Sequence, residues 1–170
     1  MKTLTKEQKL KKLGEVQSST IAEILHRLAT PDRDAIAIRP TGFGKTYTIN
    51  KIARIEKNST RVFKKVLYIY SGEVIKNQVI QQYGEDNHVE FLTYTFFSLV
   101  KDGLCTKKAQ RDFRLLHGEV DLIILDEAHK AGAENALKGL KGLFDMYPNA
   151  KKIAITATYN RSDGVDICTE

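Results

Sequence analysis

At 170 residues the chain is long enough for one domain with a sizeable core and too short for two large ones. An apolar share of 42% beside 28% charged residues excludes a disordered or fibrous chain, and no apolar run approaches bilayer-spanning length, so no membrane partner is expected. The net charge of +6 permits a polyanionic partner without requiring one, because lysine-rich surfaces are also simply solvated.

Residues 1–33 read as an N-terminal helical segment. Leu10, Leu13, Val16, Ile21, Ile24, Leu25 and Leu28 recur at helical spacing over 5–28, with Gly14 weakening the case for one unbroken helix. The start is basic but no apolar stretch follows it, so it is not a secretory signal. Pro31 and the group Asp32, Arg33, Asp34 close the segment. A first strand then begins at Ala35 and leads through Arg39-Pro40-Thr41-Gly42-Phe43-Gly44-Lys45-Thr46 into a helix over 47–55 that ends near Asn58-Ser59. A strand over 66–70 stops at Ser71-Gly72, and a helix over 73–83 follows. Next come a strand over 89–94, a short helix, and a basic stretch over 104–118 that reads as a surface helix or a mobile excursion. The run 120–125 is nearly all aliphatic, as a parallel strand covered on both faces requires, and ends at Asp126-Glu127. A helix over 133–146 and a strand over 153–155 lead to Thr156-Ala157-Thr158. Strands alternating with helices predict an α/β, mostly parallel sheet with helices on both faces and ligands at the strands' carboxyl ends. With no repeat and no linker, 1–170 reads as one domain. Cys105 and Cys168 lack any metal or redox spacing, which fits a reducing, cytoplasmic compartment.

The loop at 39–46 has the chemistry of a phosphate cradle between strand and helix. Backbone N–H groups must curl around phosphate oxygens, so Gly42 and Gly44 stand where a side chain would obstruct, with Thr41 and Phe43 between and beside them. Lys45 would reach the β/γ-phosphates and Thr46 would hold Mg²⁺ at the helix N-terminus. The strict pattern opens on glycine, and here Arg39 takes that place. Asp126 at a strand end can hold Mg²⁺ through water, and Glu127 can polarise an attacking water. The alternative for this pair is to cap the helix that follows.

In order and spacing, Arg39–Thr46, Asp126-Glu127-Ala128-His129 and Thr156-Ala157-Thr158 resemble motifs I, II and III of the superfamily 2 helicases and translocases of DEAH type. The resemblance covers nearly the whole chain and implies a RecA-like, P-loop first motor domain using ATP and Mg²⁺. It implies Lys45, Asp126 and Glu127 as catalytic residues, Thr46 and Asp126 at the metal, and His129 coupling to Thr156 and Thr158. Gln17 matches the upstream glutamine that reads adenine, with a plain surface glutamine as the alternative. Ser71 and Thr95 match positions that hold nucleic-acid phosphates, with helix capping as the alternative for each.

Two departures stand out. Tyr159 follows Thr158 where many relatives have proline, although 160–164 resembles the Arg-x-Asp-Gly continuation of restriction-type and repair-type branches. The second RecA-like lobe, with its arginine, is expected elsewhere, in a longer protein or a partner chain. The expectation is therefore a nucleic-acid-dependent ATPase motor, with DNA favoured over RNA, that hydrolyses ATP poorly until that lobe completes it. The alternative is an ATP-switched nucleic-acid-binding module or partner subunit without hydrolysis; intact Glu127 argues against it.

Overall fold

The computed structural model describes residues 5–30, 34–99, 104–131 and 134–157. Helix α1 (Lys6–Ala29) starts on a reciprocal cap: Gln8 N–H donates to Thr5 Oγ1 at 3.2 Å and Thr5 N–H to Gln8 Oε1 at 2.9 Å. It runs unbroken through Gly14, which faces open space and so costs the helix only its weak propensity. Thr20, Ile24 and Leu28 are buried, whereas Leu10 and Val16 are 60% and 43% exposed. Only the second half of the predicted apolar stripe therefore packs.

Strand β1 (Ala35–Ile38) feeds α2 (Lys45–Ala53), which begins at Lys45 rather than Tyr47 and stops short of the expected end. The chain predicted to finish that helix instead makes a hairpin of β2 (Glu56–Lys57) and β3 (Thr60–Arg61) around Asn58 and Ser59. Both turn residues have positive φ, 53° and 61°, the conformation whose twist suits a two-residue hairpin. Then follow β4 (Val66–Tyr70), α3 (Glu73–Tyr83), β5 (Val89–Thr93), α4 (Tyr94–Leu99) and α5 (Lys107–His117). The order ends with β6 (Leu122–Asp126), a 3₁₀ turn (Ala128–Ala131), α6 (Glu134–Met146) and β7 (Lys151–Thr156).

Local hydrogen bonds explain the boundaries that differ from expectation. Tyr94 opens α4 instead of closing β5, because Thr93 Oγ1 accepts the Phe96 N–H at 3.1 Å and caps that helix. Val120 precedes β6 because the Asp121 carboxylate takes the Lys64 and Lys65 N–H groups at 2.8 and 3.0 Å, and the ladder starts beyond it. The basic stretch is a helix, not an excursion. Thr106 caps α5, and Phe113 and His117 are buried one turn apart, with partly buried Ala109 packed beside them. His117 fits that stripe because its Nδ1 pairs with Glu90 Oε1 at 2.5 Å.

The five longer strands make one sheet, all parallel, in the order β1-β7-β6-β4-β5. Alternate residues serve opposite faces. Val66, Tyr68 and Tyr70 of β4 join Leu122 and Ile124 of β6 in a core under α1 and α2. Leu67, Ile69 and Ile123 join Tyr94, Phe97, Phe113, Leu140 and Leu143 in a second core under α4, α5 and α6. Helices α4 and α6 touch so closely that a Cβ at Gly139 would lie 2.7 Å from the Phe97 carbonyl oxygen. Among the described residues, no helix is long and apolar enough to cross a membrane.

Candidate nucleotide-binding site

The loop after β1 leaves the sheet beside β7, with the Arg39 N–H donating to the Thr156 carbonyl at 2.9 Å. Gly42 and Gly44 both adopt left-handed backbone, φ 81° and 84°, where an L side chain would be strained. Gly44 is also the N-cap of α2 and supplies no side-chain cap, so the first N–H groups of the helix stay available to an anion. Arg39, in the place of the usual opening glycine, turns away to α1. Its Nε donates to Thr20 Oγ1 at 3.1 Å, Nη2 reaches Glu23 at 3.5 Å, and the guanidinium lies over the Phe43 ring at 5.7 Å. The departure from the motif thus ties the loop to the N-terminal helix.

Gln17 reaches the same loop from α1. Its Nε2 donates to the Phe43 carbonyl at 2.6 Å, and it lies 2.5 Å from where a Cβ on Gly44 would sit. Position 44 therefore needs glycine for its backbone sign, and any side chain there would also displace the Gln17 amide from the Phe43 carbonyl. Phe43 is buried, while Thr41 and Gly42 are exposed.

Lys45, almost fully buried, places Nζ 3.1 Å from Glu127 Oε1. Glu127 follows the end of β6 in left-handed backbone, φ 53°, a sparsely populated conformation for glutamate. His129, on the 3₁₀ turn, sets Nδ1 2.8 Å from Thr156 Oγ1 and 3.3 Å from Glu127 Oε2. One imidazole nitrogen thus bridges the strand ends of β6 and β7. Thr158 lies outside the described residues, as do 160–164 and Cys168; Cys105 is exposed.

Asp126 is 2% exposed, and two tyrosines hold it. The Tyr68 hydroxyl donates to Asp126 Oδ2 at 2.8 Å, and the Tyr94 hydroxyl donates to the Asp126 carbonyl at 3.1 Å. Burial raises the Asp126 carboxyl above the usual carboxylate range; the Tyr68 hydrogen bond and the Lys45 charge pull it down, while the Glu127 charge pushes it up. Burial, then the Asp126 charge, push both phenols well above an ordinary tyrosine. Neither tyrosine was expected from sequence. The available signal was the pair of phenols in the otherwise aliphatic β4, and a phenol just past the end of β5.

These residues fit a nucleotide with a divalent cation. The buried carboxylate of Asp126 would gain from a neighbouring positive charge, and the glycine-lined loop leaves room for phosphate oxygens. Ser71 and Thr95 come to the same edge of the sheet, after β4 and at the start of α4. Both are exposed. The N-cap of α3 is Gly72 and the side chain capping α4 is Thr93, so neither Ser71 nor Thr95 is the N-cap of its helix.

A family profile described as type III restriction enzyme, res subunit, matches residues 10–161. None of the curated proteins compared with the chain matches it. The matched stretch spans both layers of helices, the whole sheet and every strand end described above. The chain belongs to the type III restriction enzyme res subunit family and is a helicase-like, ATP-binding motor domain of RecA-like fold.

Proposed function

We propose that this domain binds Mg-ATP at the loop 39–46 and hydrolyses it as part of a nucleic-acid translocase or helicase, completed by a second RecA-like lobe. The observation that carries the reading is the 3.1 Å pair of Lys45 with Glu127, set between a left-handed glycine loop and the buried Asp126. In this reading Thr41 to Thr46 bind phosphates through backbone N–H groups and the Lys45 ammonium. Thr46 and Asp126 hold Mg²⁺, which when bound neutralises charge on the β- and γ-phosphates. Glu127, freed from Lys45, accepts a proton from the attacking water at Oε1. His129 passes the state of Glu127 to Thr156 and on to Thr158, and Gln17 reads the base. Ser71 and Thr95 grip a phosphate backbone, which gives no sequence preference by itself. DNA is favoured over RNA because the family's description names a restriction enzyme. The second lobe supplies an arginine worth ~10³–10⁵ in rate. Residues 1–170 act as one intracellular domain, with 1–33 part of it, since the second half of α1 packs on α2 and β1.

The test is calorimetric binding of Mg-ADP, then ATP turnover with and without single-stranded DNA and RNA. Lys45→Ala is expected to lower nucleotide affinity at least ~100-fold, the loss of a buried charged contact to phosphate. Unchanged binding would sink the loop assignment. Turnover stimulated by nucleic acid and lost in Glu127→Gln would support the motor; turnover that survives in that variant would remove Glu127 from its role.

A further inference from the structure

Strand β4 lies between β5 and β6, and all five of its residues are buried. An aliphatic side chain fills such a position with no polar group to satisfy. A phenol there buries a hydroxyl, at a cost of about 1–3 kcal/mol unless that hydroxyl is paired. Tyr68 is completely buried, and its hydroxyl donates to Asp126 Oδ2 at 2.8 Å. One hydroxyl thereby links the middle of β4 to the end of β6. Tyr70, two residues along the same face, instead gives its hydroxyl to Glu73 Oε1 at 2.9 Å. Of the two phenols on β4, only Tyr68 therefore reaches the Asp126 carboxylate.

We infer that Tyr68 is a positioning residue for divalent-cation binding: its hydroxyl fixes Asp126 by one carboxylate oxygen. The inference rests on the reading that Mg-nucleotide binds at this loop. With Oδ2 tied, the carboxylate is held in one rotamer before any ligand arrives, so less ordering remains to be done on binding. Partners of this kind, one shell out from a metal ligand, commonly change metal affinity 10- to 100-fold when removed.

The experiment compares ADP binding in Mg²⁺ with ADP binding in EDTA, by calorimetry on the full chain. In the unmodified chain Mg²⁺ should strengthen binding. In Tyr68→Phe that gain should fall by about tenfold while affinity in EDTA stays unchanged. Tyr70→Phe, which removes a neighbouring phenol bonded elsewhere, should keep the full gain. Thermal melts confirm that each variant folds. Should Tyr68→Phe fail to fold, 3-fluorotyrosine at position 68 of the otherwise unmodified chain carries the test. Its ¹⁹F resonance should move when Mg²⁺ joins ADP, and a resonance indifferent to Mg²⁺ would overturn the inference. An undiminished Mg²⁺ gain in Tyr68→Phe would also overturn it, leaving the loop assignment standing. Failure of the unmodified chain to bind ADP, or to respond to Mg²⁺, would overturn both together.

Discussion

The two faces of the sheet are held by different physics. Under α4, α5 and α6 rings and aliphatics predominate, with a few polar links such as His117 to Glu90: Phe96 and Phe97 meet edge to face at 5.3 Å, and Phe113 lies beside His117 at 4.0 Å. Under α1, α2 and α3 the apolar core is joined by directional polar contacts that begin at the phosphate loop. Asn50 Nδ2 donates to the Thr46 carbonyl at 2.8 Å, Arg54 donates to Asn50 at 2.5 Å, and Arg54 and Arg61 close on Asp86 at 3.6 and 2.8 Å. His88 pairs with the same aspartate. Dispersion packing has one good arrangement and resists change, whereas a chain of hydrogen bonds can exchange partners one at a time. The polar chain under α1, α2 and α3 thus runs from the phosphate loop to Asp86, whereas among the described residues the ring packing under α4, α5 and α6 does not reach that loop.

Three changes would sharpen or break this contrast. The largest effect is expected from Phe97→Ala, which empties a fully buried ring site on the apolar face. It should cost about 3–5 kcal/mol in urea unfolding, with nucleotide affinity of the folded fraction unchanged. A loss below 1 kcal/mol would show that this face is not close-packed.

A smaller, pH-dependent effect belongs to the polar face. Burial works to raise the Asp86 carboxyl, but the hydrogen bonds and charge of His88, with the charge of Arg61, outweigh it and hold Asp86 below the usual carboxylate range. A depressed carboxylate stabilises the fold above its unfolded pKa of about 3.9, and that contribution disappears as pH falls through the lowered folded value. Asp86→Asn should therefore destabilise the domain near neutral pH and flatten the acid limb of its stability curve. Parallel curves for the two proteins would remove Asp86 from the network.

The smallest effect concerns Glu127→Gln. If nucleotide binds as proposed, it parts Lys45 from Glu127, so the variant should bind ADP up to about fivefold more tightly, the ~1 kcal/mol of a modest ion pair. Weaker binding in this variant would mean that Glu127 helps to hold the ligand.

Much of the scaffold was readable because its signals are local. Aliphatic runs at 66–70 and 122–125 cannot be solvated, and glycine, lysine and threonine in a strand-to-helix turn have a narrow range of uses. The misreadings have a common source in contacts distant in sequence. Asn58-Ser59 marked a turn correctly, but β2 and β3 are too short to show periodicity, so a helix filled the space. The stretch 104–118 reads as basic and poorly periodic because its buried face is only Ala109, Phe113 and His117, and the partner of His117, Glu90, lies on β5. Arg39 looked like a defect in the loop until α1 supplied Thr20 and Glu23. Tyr68 and Tyr94 were invisible as partners of Asp126 because no spacing rule connects neighbouring strands.

Helix α4 is only six residues long, too short to hold a helical shape in water by itself. Its place is borrowed from α6 through the gap that Gly139 leaves for the Phe97 backbone. Thr95, on the outside of α4, is therefore held from two sides, by the Thr93 cap at the end of β5 and by α6 behind Phe97. A shift of α6 would therefore reach Thr95 only by straining the Thr93 cap, so the end of β5 and α6 set its position jointly.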